Sequence, residues 1–202
     1  MANRLPQLVP FDQHNQFLES NVHPSDWINP TPASNYHLVI VGAGTAGLVT
    51  AAAAAGLGAR VALIERDLMG GDCLNVGCVP SKSLIAAARF VANGQRGKKM
   101  GFSGANNPSI NFSEIMERMR KQRSQISPVD SANRFKALGV DVFFGRASCV
   151  DDHTISIQTS ISDVGVRIKG ARSRVSVGRR APACGGMGSW KGDSRRADGG
   201  GS

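Results

Sequence analysis

Two short apolar runs flank an alanine-rich stretch in the first third of the chain. Residues 37–41 are almost wholly apolar, and residues 60–65 have four apolar residues between two charged ones; such short runs are typical of strands buried in a parallel sheet. Between them, residues 48–57 consist mainly of alanine and other strong helix formers, with glycines on both sides. The pattern predicts a strand, a turn, a helix and a second strand, which together have the length of a βαβ unit.

The pattern continues downstream with further helices and extended segments. Helices are predicted over residues 80–91, 114–126 and 128–138. Asn111 or Ser113 is placed to cap the second of these. Residues 140–144 read as a third buried strand, and residues 148–157 alternate weakly, as in a hairpin arm. The fold class predicted is α/β, with a Rossmann-like parallel sheet that is incomplete.

The two ends of the chain lack such periodicity. Residues 1–34 contain five prolines and no period of 2 or 3.6. We expect an extension that lies over the domain or is partly disordered, with Phe17 and Trp27 as anchors. Residues 166–202 are rich in Arg, Gly and Ser, which predicts a disordered basic tail. By this division the folded domain covers residues 35–165.

The positive charge of the chain lies mostly in that tail. The formal net charge is +9, and residues 166–202 carry nine Lys or Arg against two Asp. Binding of nucleic acid through the tail is therefore an alternative function. The tail has Trp190 as its only aromatic residue and no recognised nucleic-acid fold, so we expect no nucleic-acid partner.

The N-terminus and one uncharged stretch bear on location. The first residues form no sustained apolar run, so we expect no signal peptide and a cytoplasmic protein. In that compartment a close cysteine pair is more often catalytic or metal-binding than structural.

Residues 38–59 carry no charge and are long enough to span a bilayer. Three glycines clustered after a β-branched run favour a turn instead, so we expect no membrane span.

A GxGxxG motif, Gly42-Ala43-Gly44-Thr45-Ala46-Gly47, lies between the first strand and the helix. Gly42 permits a tight turn, Gly44 lets the backbone approach a pyrophosphate, and Gly47 lets the helix pack close to the strand. Glu65 follows 18 residues after Gly47, where a carboxylate accepts hydrogen bonds from ribose hydroxyls and disfavours a 2′-phosphate. The motif predicts dinucleotide binding, with a packed Ala/Gly helix lacking a ligand as the alternative.

The segment GGDCLNVGCVPSK, residues 70–82, places Cys73 and Cys78 five residues apart. On a regular helix this spacing puts them about 140° apart, too distant for a disulfide. A bridge therefore needs irregular backbone, which Asn75 and Gly77 can supply. A cysteine just before a helix N-terminus and near Lys82 should have a lowered thiol pKa. The alternatives are two buried structural cysteines, or a zinc site drawing on Cys149, Cys184 and His153.

Residues 38–47, Glu65 and the run 70–82 together resemble the pyridine nucleotide–disulfide oxidoreductases. The resemblance extends from about Tyr36 to Ile157, and the run NVHPSDWINPTP before the first strand is most similar to the mercuric-reductase-like branch. It implies a FAD-dependent NAD(P)H–disulfide oxidoreductase acting on a disulfide, a dithiol or Hg(II). A fragment of dihydrolipoyl-dehydrogenase type, or a non-catalytic flavin-binding or thiol-redox module, are the alternatives.

The same resemblance implies roles for individual residues. Cys73 is the interchange thiol that reacts with substrate, and Cys78 is the thiol beside the flavin. Lys82 lies by the reactive edge of the flavin, and the backbone of Ala147 contacts the adenine half of FAD. The cofactor contacts implied are Gly42, Gly44, Thr45, Ala46, Gly47, Glu65, Gly71, Asp72, Lys82 and Ala147.

Other parts of the resembled family have no counterpart in this sequence. A second GxGxxG for NAD(P)H and the dimerisation domain that makes the complete enzymes homodimers do not follow. Residues 167–172 stand where a strand ending in Ala-Thr-Gly is expected. The abrupt change in composition near residue 165 predicts a truncated or frameshifted product, expected to bind FAD without turning over alone.

Overall fold

The computed structural model describes residues 8–102, 109–159 and 162–170. The helices are α1 Gln13–Val22, α2 Thr45–Gly56, α3 Gly71–Asn75, α4 Cys78–Lys99, α5 Phe112–Ile126 and α6 Ala132–Ala137. A 3-10 turn, Ser127–Asp130, precedes α6. The strands are β1 Leu38–Val41, β2 Val61–Glu65, β3 Val140–Phe144, β4 Arg146–Asp151, β5 Thr154–Thr159 and β6 Ser162–Lys169.

A parallel sheet of order β1-β2-β3 forms the centre of the fold. All five residues of β2 are buried, because this strand lies between the other two and is covered on both faces. Leu48 and Ala51 of α2 and Phe135 of α6 belong to the same hydrophobic core as Leu63 of β2. The predicted α/β class with a Rossmann-like parallel sheet is confirmed.

A second sheet, antiparallel and of order β4-β5-β6, packs beside the first. The antiparallel pairing of β4 with β5 confirms the hairpin arm expected over residues 148–157. Ile155 and Ile157 of β5 join Phe143 of β3 in one buried cluster. Strand β6 runs to Lys169, past the predicted boundary at residue 165, because Ile168 is fully buried in this cluster. The predicted tail therefore begins too early, and residues 171–202 lie outside the described residues.

Helix bounds differ from the sequence pattern at several starts and, for α4, by eight residues at the end. Helix α2 begins at Thr45 because Gly44 serves as its N-cap, and α4 begins at Cys78 and continues to Lys99. Asn111 caps α5, its side chain accepting from the backbone N–H groups of Ser113 and Glu114. No helix of the described residues is long and apolar enough to cross a membrane, and residues 38–59 divide between β1 and α2.

The N-terminal segment contributes a helix, α1, that sequence periodicity did not predict. Asp12 caps it by accepting hydrogen bonds from the N–H groups of His14 and Asn15, at 3.1 and 2.9 Å. Leu18 and Val22, four residues apart on one face, are fully buried in the main core. Phe17 was expected to anchor the segment, but this was wrong: Phe17 is 51% exposed and lies on another face of the helix.

The segment after α1 runs along the outer side of β3. The indole Nε1 of Trp27, the other expected anchor, donates to the carbonyl of Val142 at 3.2 Å. The side-chain amide of Asn29 bonds twice to the backbone of Phe144. Its Oδ1 accepts from the N–H at 2.8 Å and its Nδ2 donates to the carbonyl at 2.9 Å. These bonds satisfy backbone groups that β3 directs away from β2.

His23 ties the end of α1 to the loop after β2. Its ring stacks on Phe144 with centroids 4.0 Å apart, and its Nδ1 donates to the carbonyl of Asp67. Burial lowers the pKa of His23 below its ordinary value of 6.5, against the opposing effects of the Asp67 carbonyl and Glu65. The folded protein therefore takes up a proton at this ring only at lower pH than the unfolded chain does.

We expect the free energy of unfolding to be pH-dependent for this reason. The contribution of His23 is complete above pH 6.5 and is lost as the pH falls below 6.5 toward the lowered pKa. Urea unfolding at intervals between pH 5 and 8 measures it. His23→Gln should flatten the curve between pH 5 and 6.5, whereas His153→Gln, at an exposed turn, should not. An equally steep decline in His23→Gln would assign the effect to another group.

Candidate active site

The loops that follow the three parallel strands meet at one edge of the sheet. The N–H of Gly42, just after β1, donates to the carbonyl of Ile64 in β2 at 2.8 Å. The N–H of Gly145, just after β3, donates to the carbonyl of Glu65 at 2.8 Å. Ligands of open parallel sheets bind outside the carboxyl ends of the strands. Gly42, Glu65 and the start of β4, which holds Ala147, therefore lie where a dinucleotide would be expected.

The turn between β1 and α2 is made tight by glycine. Gly42 has φ 103°, and a Cβ on Gly47 would lie 2.0 Å from the carbonyl oxygen of Gly42. Gly44 differs, since a Cβ there would meet only the Cα of Gly71 at an ordinary 3.9 Å. The packing of the protein therefore requires glycine at position 47 but leaves open space at position 44. That space is what a pyrophosphate would use.

The first turn of α2 is uncapped by any side chain. Its N-cap is Gly44, so no side-chain oxygen bonds to the free N–H groups of the turn. Thr45 and Ala46 are exposed, whereas Gly47 is buried against β1. The N–H groups of this turn and the positive end of the helix dipole suit a phosphate group.

Glu65 organises this edge of the sheet through its carboxylate. One oxygen accepts from the N–H of Ala43 at 2.7 Å, and the other accepts from the N–H groups of Arg66 and Asp67, each at 2.9 Å. The side chain is 9% exposed. Sequence reasoning assigned Glu65 to the ribose. The structure adds that the same carboxylate holds the glycine turn in place.

A second glycine segment brings the cysteine motif to the turn. The N–H of Gly70 donates to the carbonyl of Ala43 at 2.8 Å. A Cβ on Gly71 would lie 2.7 Å from the Cα of Gly44, and both Gly70 and Gly71 have positive φ. Helix α3, which begins at Gly71 and carries Asp72 and Cys73, therefore starts beside the start of α2.

The backbone between the two cysteines breaks as the spacing predicts. Helix α3 ends at Asn75 and α4 begins at Cys78, and the N–H groups of Val76 and Gly77 both donate to the carbonyl of Asp72, at 3.0 and 2.5 Å. A Cβ on Gly77 would lie 2.8 Å from that carbonyl oxygen. Because Gly77 has no side chain, the backbone can turn at this point, and the turn brings the two sulfur atoms together.

The cysteine side chains contact each other as free thiols. Cys73 is half-buried, and the side chains of Cys78 and Thr45 lie close enough to influence its pKa, while Cys78 is exposed. The contact with Cys78 and burial raise the pKa of Cys73, and the Thr45 hydroxyl and the positive charge of Lys82 oppose this. The lowered pKa expected for a cysteine just before the helix that follows Pro80 stays a prediction. For Cys73 the pKa is raised, because the effect of the neighbouring sulfur outweighs that of the cation.

The proximity of Thr45 to Cys73 brings the two motifs together. Thr45 is the first residue of α2, directly after the glycine turn, and Cys73 lies in α3. Lys82 is exposed one turn into α4, close enough to Cys73 to influence its charge. Ala147 lies in β4, its side chain packed against the second hydrophobic cluster. Backbone contacts thus link Glu65, through Ala43 and Gly70, to the start of the helix that carries Cys73.

Two supporting residues were missed by sequence reasoning. Arg123 of α5 and Asn15 of α1 are both buried, at 8% and 1% exposed, and they bond to each other behind the cysteine loop. Met119 lies four residues before Arg123 and is also buried, so the two share the buried face of α5. An arginine at a position of the apolar face was the sequence signal that could have identified this residue. Within the described ranges no group of three His, Cys, Asp or Glu side chains is placed to hold a metal.

Comparison with known proteins gives this arrangement a context. Residues 36–160 match a family model described as pyridine nucleotide-disulphide oxidoreductase. Curated relatives include a glutathione reductase of Nostoc sp., 33% identical over 61% of this chain, and a dihydrolipoyl dehydrogenase of Bacillus subtilis, 35% identical over 59%. A mercuric reductase of Staphylococcus aureus is 32% identical over 61%.

The matches cover only part of each relative. The chain spans 26%, 25% and 22% of the length of those three proteins. Among solved structures, the Cu(II) complex of a cysteine-to-serine mutant of the HOCl-induced flavoprotein disulfide reductase RclA from Escherichia coli matches with a TM-score of 0.53 and 24% identity. The match covers 70% of this chain and 28% of that one. At that identity the likeness concerns the fold.

Proposed function

The chain belongs to the pyridine nucleotide–disulphide oxidoreductase family, and we propose from this premise that it binds FAD beside a redox-active Cys73–Cys78 pair. The observation that carries the proposal is the close approach of the two glycine segments: the N–H of Gly70 donates to the carbonyl of Ala43 at 2.8 Å, and Gly44 and Gly70 form a parallel β-bridge. Helix α3, which carries Cys73, therefore begins beside the N-terminus of α2. A nucleotide lying on that turn would have its far end within reach of the sulfur atoms.

The residues present fit FAD. The open space at Gly44 and the uncapped first turn of α2 suit its pyrophosphate, with Thr45, Ala46 and Gly47 supplying N–H groups. Glu65 would face the ribose, and the backbone near Ala147 would face the adenine. Gly71, Asp72 and Lys82 would line the part toward the thiols. When bound, FAD supplies hydride and electron-pair chemistry that no side chain here provides.

The cysteines supply the exchange chemistry. Reducing the Cys73–Cys78 disulfide consumes two electrons and two protons and yields the two thiols. A thiolate at one cysteine then attacks a substrate disulfide through a mixed disulfide, which the other cysteine resolves. Thr45 and Lys82 both favour the charged form of Cys73, so they are placed to assist the attack from this sulfur. In this assignment Cys73 is the interchange thiol.

Within the family, we propose that the enzyme is mercuric-reductase-like. The N-terminal run that precedes β1 supports it, as does the relative from Staphylococcus aureus. A dihydrolipoyl-dehydrogenase type is the second candidate, supported by relatives of that name. In either case NAD(P)H binding and homodimer formation would depend on segments present in complete relatives.

Flavin titration of the purified chain tests the proposal. We expect one FAD to be retained per chain, with a long-wavelength absorbance band after mild reduction by dithiothreitol. Cys78→Ser should lose the band and keep the flavin, while Ser81→Ala, an exposed serine on the same helix, should keep both. A folded chain that retains no flavin would contradict the proposal. If its cysteines still exchanged with dithiothreitol, a flavin-free thiol-redox module would replace it.

A further inference from the structure

A buried arginine connects the N-terminal helix to the loop between the cysteines. Nη1 of Arg123 donates to the carbonyl oxygen of Asn75 at 2.8 Å, and Nη2 donates to Oδ1 of Asn15. Nδ2 of Asn15 donates in turn to the carbonyl of Pro10 at 2.6 Å. Three elements, α1, α5 and α3, thus converge on one guanidinium group.

The hydrogen bond from Arg123 to Asn75 lies within the segment that joins Cys73 to Cys78. Asn75 is the last residue of α3, so its carbonyl has no partner within that helix. The side chain of Asn75 is also fixed, since its Nδ2 donates to the carbonyls of Met69 and Gly71 at 3.1 and 2.9 Å. Arg123 adds the bond to the backbone carbonyl, while Oδ1 of Asn75 has no hydrogen-bond partner among the described residues. Asn75, one of the four residues between Cys73 and Cys78, is therefore held by its backbone and by its side chain.

Burying a guanidinium here costs free energy. Its two hydrogen-bond acceptors are neutral, and within the described residues its Nε has no partner. Burial lowers the pKa of Arg123, and the nearby Asp12 only partly opposes this. Charged groups are rarely buried without a bonded counter-ion, and in some proteins buried polar or ionic groups serve to fix one conformation. What these bonds fix is the turn between the two thiols.

We propose that Arg123, supported by Asn15 of α1, is a positioning residue for the Cys73–Cys78 couple. It holds the turn in the shape that keeps the two sulfur atoms in contact. Since disulfides form only within narrow limits of Cβ separation and torsion, a held turn raises the effective concentration of one thiol at the other. The inference rests on the proposed function in taking these cysteines as the redox couple.

The measurable step is exchange with a small disulfide. Two thiols, Cys73 and Cys78, react with oxidised dithiothreitol to give the protein disulfide and reduced dithiothreitol, with electrons and protons balanced. A looser turn lowers the effective concentration and makes the protein disulfide easier to reduce. We expect Arg123→Met to lower the equilibrium constant for disulfide formation by about tenfold, which raises the midpoint potential by about 30 mV.

Matched variants of the full chain separate positioning from folding. Arg123→Lys, which keeps the charge and one donor, should recover part of the shift. Asn15→Ala should move the constant in the same direction by less, and it decides the question if Arg123→Met does not fold. Arg134→Met is the control, because Arg134 also bonds a backbone carbonyl, that of Val129 at 2.7 Å, but on an exposed surface.

The variants are equilibrated in dithiothreitol buffers, alkylated, and analysed by mass spectrometry of the peptide that contains Cys73 and Cys78. Urea unfolding of each variant reports its stability. Folded Arg123→Met and Asn15→Ala with equilibrium constants within twofold of the parent would overturn the inference, even if both were less stable. A shifted equilibrium constant in a chain that binds no FAD would support the positioning role of Arg123 and would refute FAD as the cofactor.

Discussion

Replacing Gly47 by alanine is expected to disrupt the turn between β1 and α2. The added Cβ would lie 2.0 Å from the carbonyl oxygen of Gly42, a backbone atom that cannot move without shifting β1 or α2. Overpacking of this kind should cost about 3 kcal/mol of unfolding free energy or more. If the turn opens to relieve the contact, FAD affinity should fall by about 100-fold. Urea unfolding and flavin titration measure the two effects.

The same helix offers a control. Gly56 is the last residue of α2, and a Cβ there meets nothing within 4 Å. Gly56→Ala should therefore stabilise the chain by about 0.5–1 kcal/mol, because alanine loses less backbone entropy on folding. Its flavin affinity should match that of the parent. Equal stability losses in the two variants would mean that the close contact at Gly47 does not constrain the turn.

Replacing Glu65 by glutamine is expected to have an effect of similar size. The carboxylate accepts hydrogen bonds from three backbone N–H groups, and an amide would present its NH2 group to at least one of them. Leaving a buried donor without an acceptor, and losing charge-assisted bonds, should cost about 2–4 kcal/mol. Flavin affinity should fall as well, since the displaced turn includes Ala43.

An exposed glutamate provides the control for Glu65→Gln. Glu114→Gln, on the surface of α5, should change the unfolding free energy by no more than about 0.5 kcal/mol. Glu65→Asp keeps the charge but shortens the side chain, so it should lie between the parent and Glu65→Gln in both measurements. A glutamine variant as stable as the parent would show that the carboxylate does not hold the turn.

The βαβ core could be predicted from sequence because its signals are local. Strand β3 matches the expected residues 140–144, since a short, mostly apolar run flanked by glycines has few other structures available. The glycine motif likewise indicated its turn correctly, with Gly42 in a positive-φ conformation. In these stretches the side chains nearest in sequence determine the backbone, so no knowledge of tertiary contacts was needed.

The remaining features depend on contacts between distant residues. Helix α1 has a single apolar pair, Leu18 and Val22, and becomes stable only by packing on the core. The raised pKa of Cys73 depends on how closely the chain brings Cys78 to it, which spacing alone does not give. Strand β6 extends past residue 165 because Ile168 fills a cluster whose other members are far away in sequence.

The bonds from Trp27 and Asn29 to β3 also bear on solubility. In the described sheet β3 is an edge strand, and an edge strand with free backbone groups is a template on which a second molecule can add a strand. Val142 and Phe144 present such groups, and the N-terminal segment occupies them with side chains instead of another strand. The segment thereby protects the sheet against intermolecular pairing and aggregation.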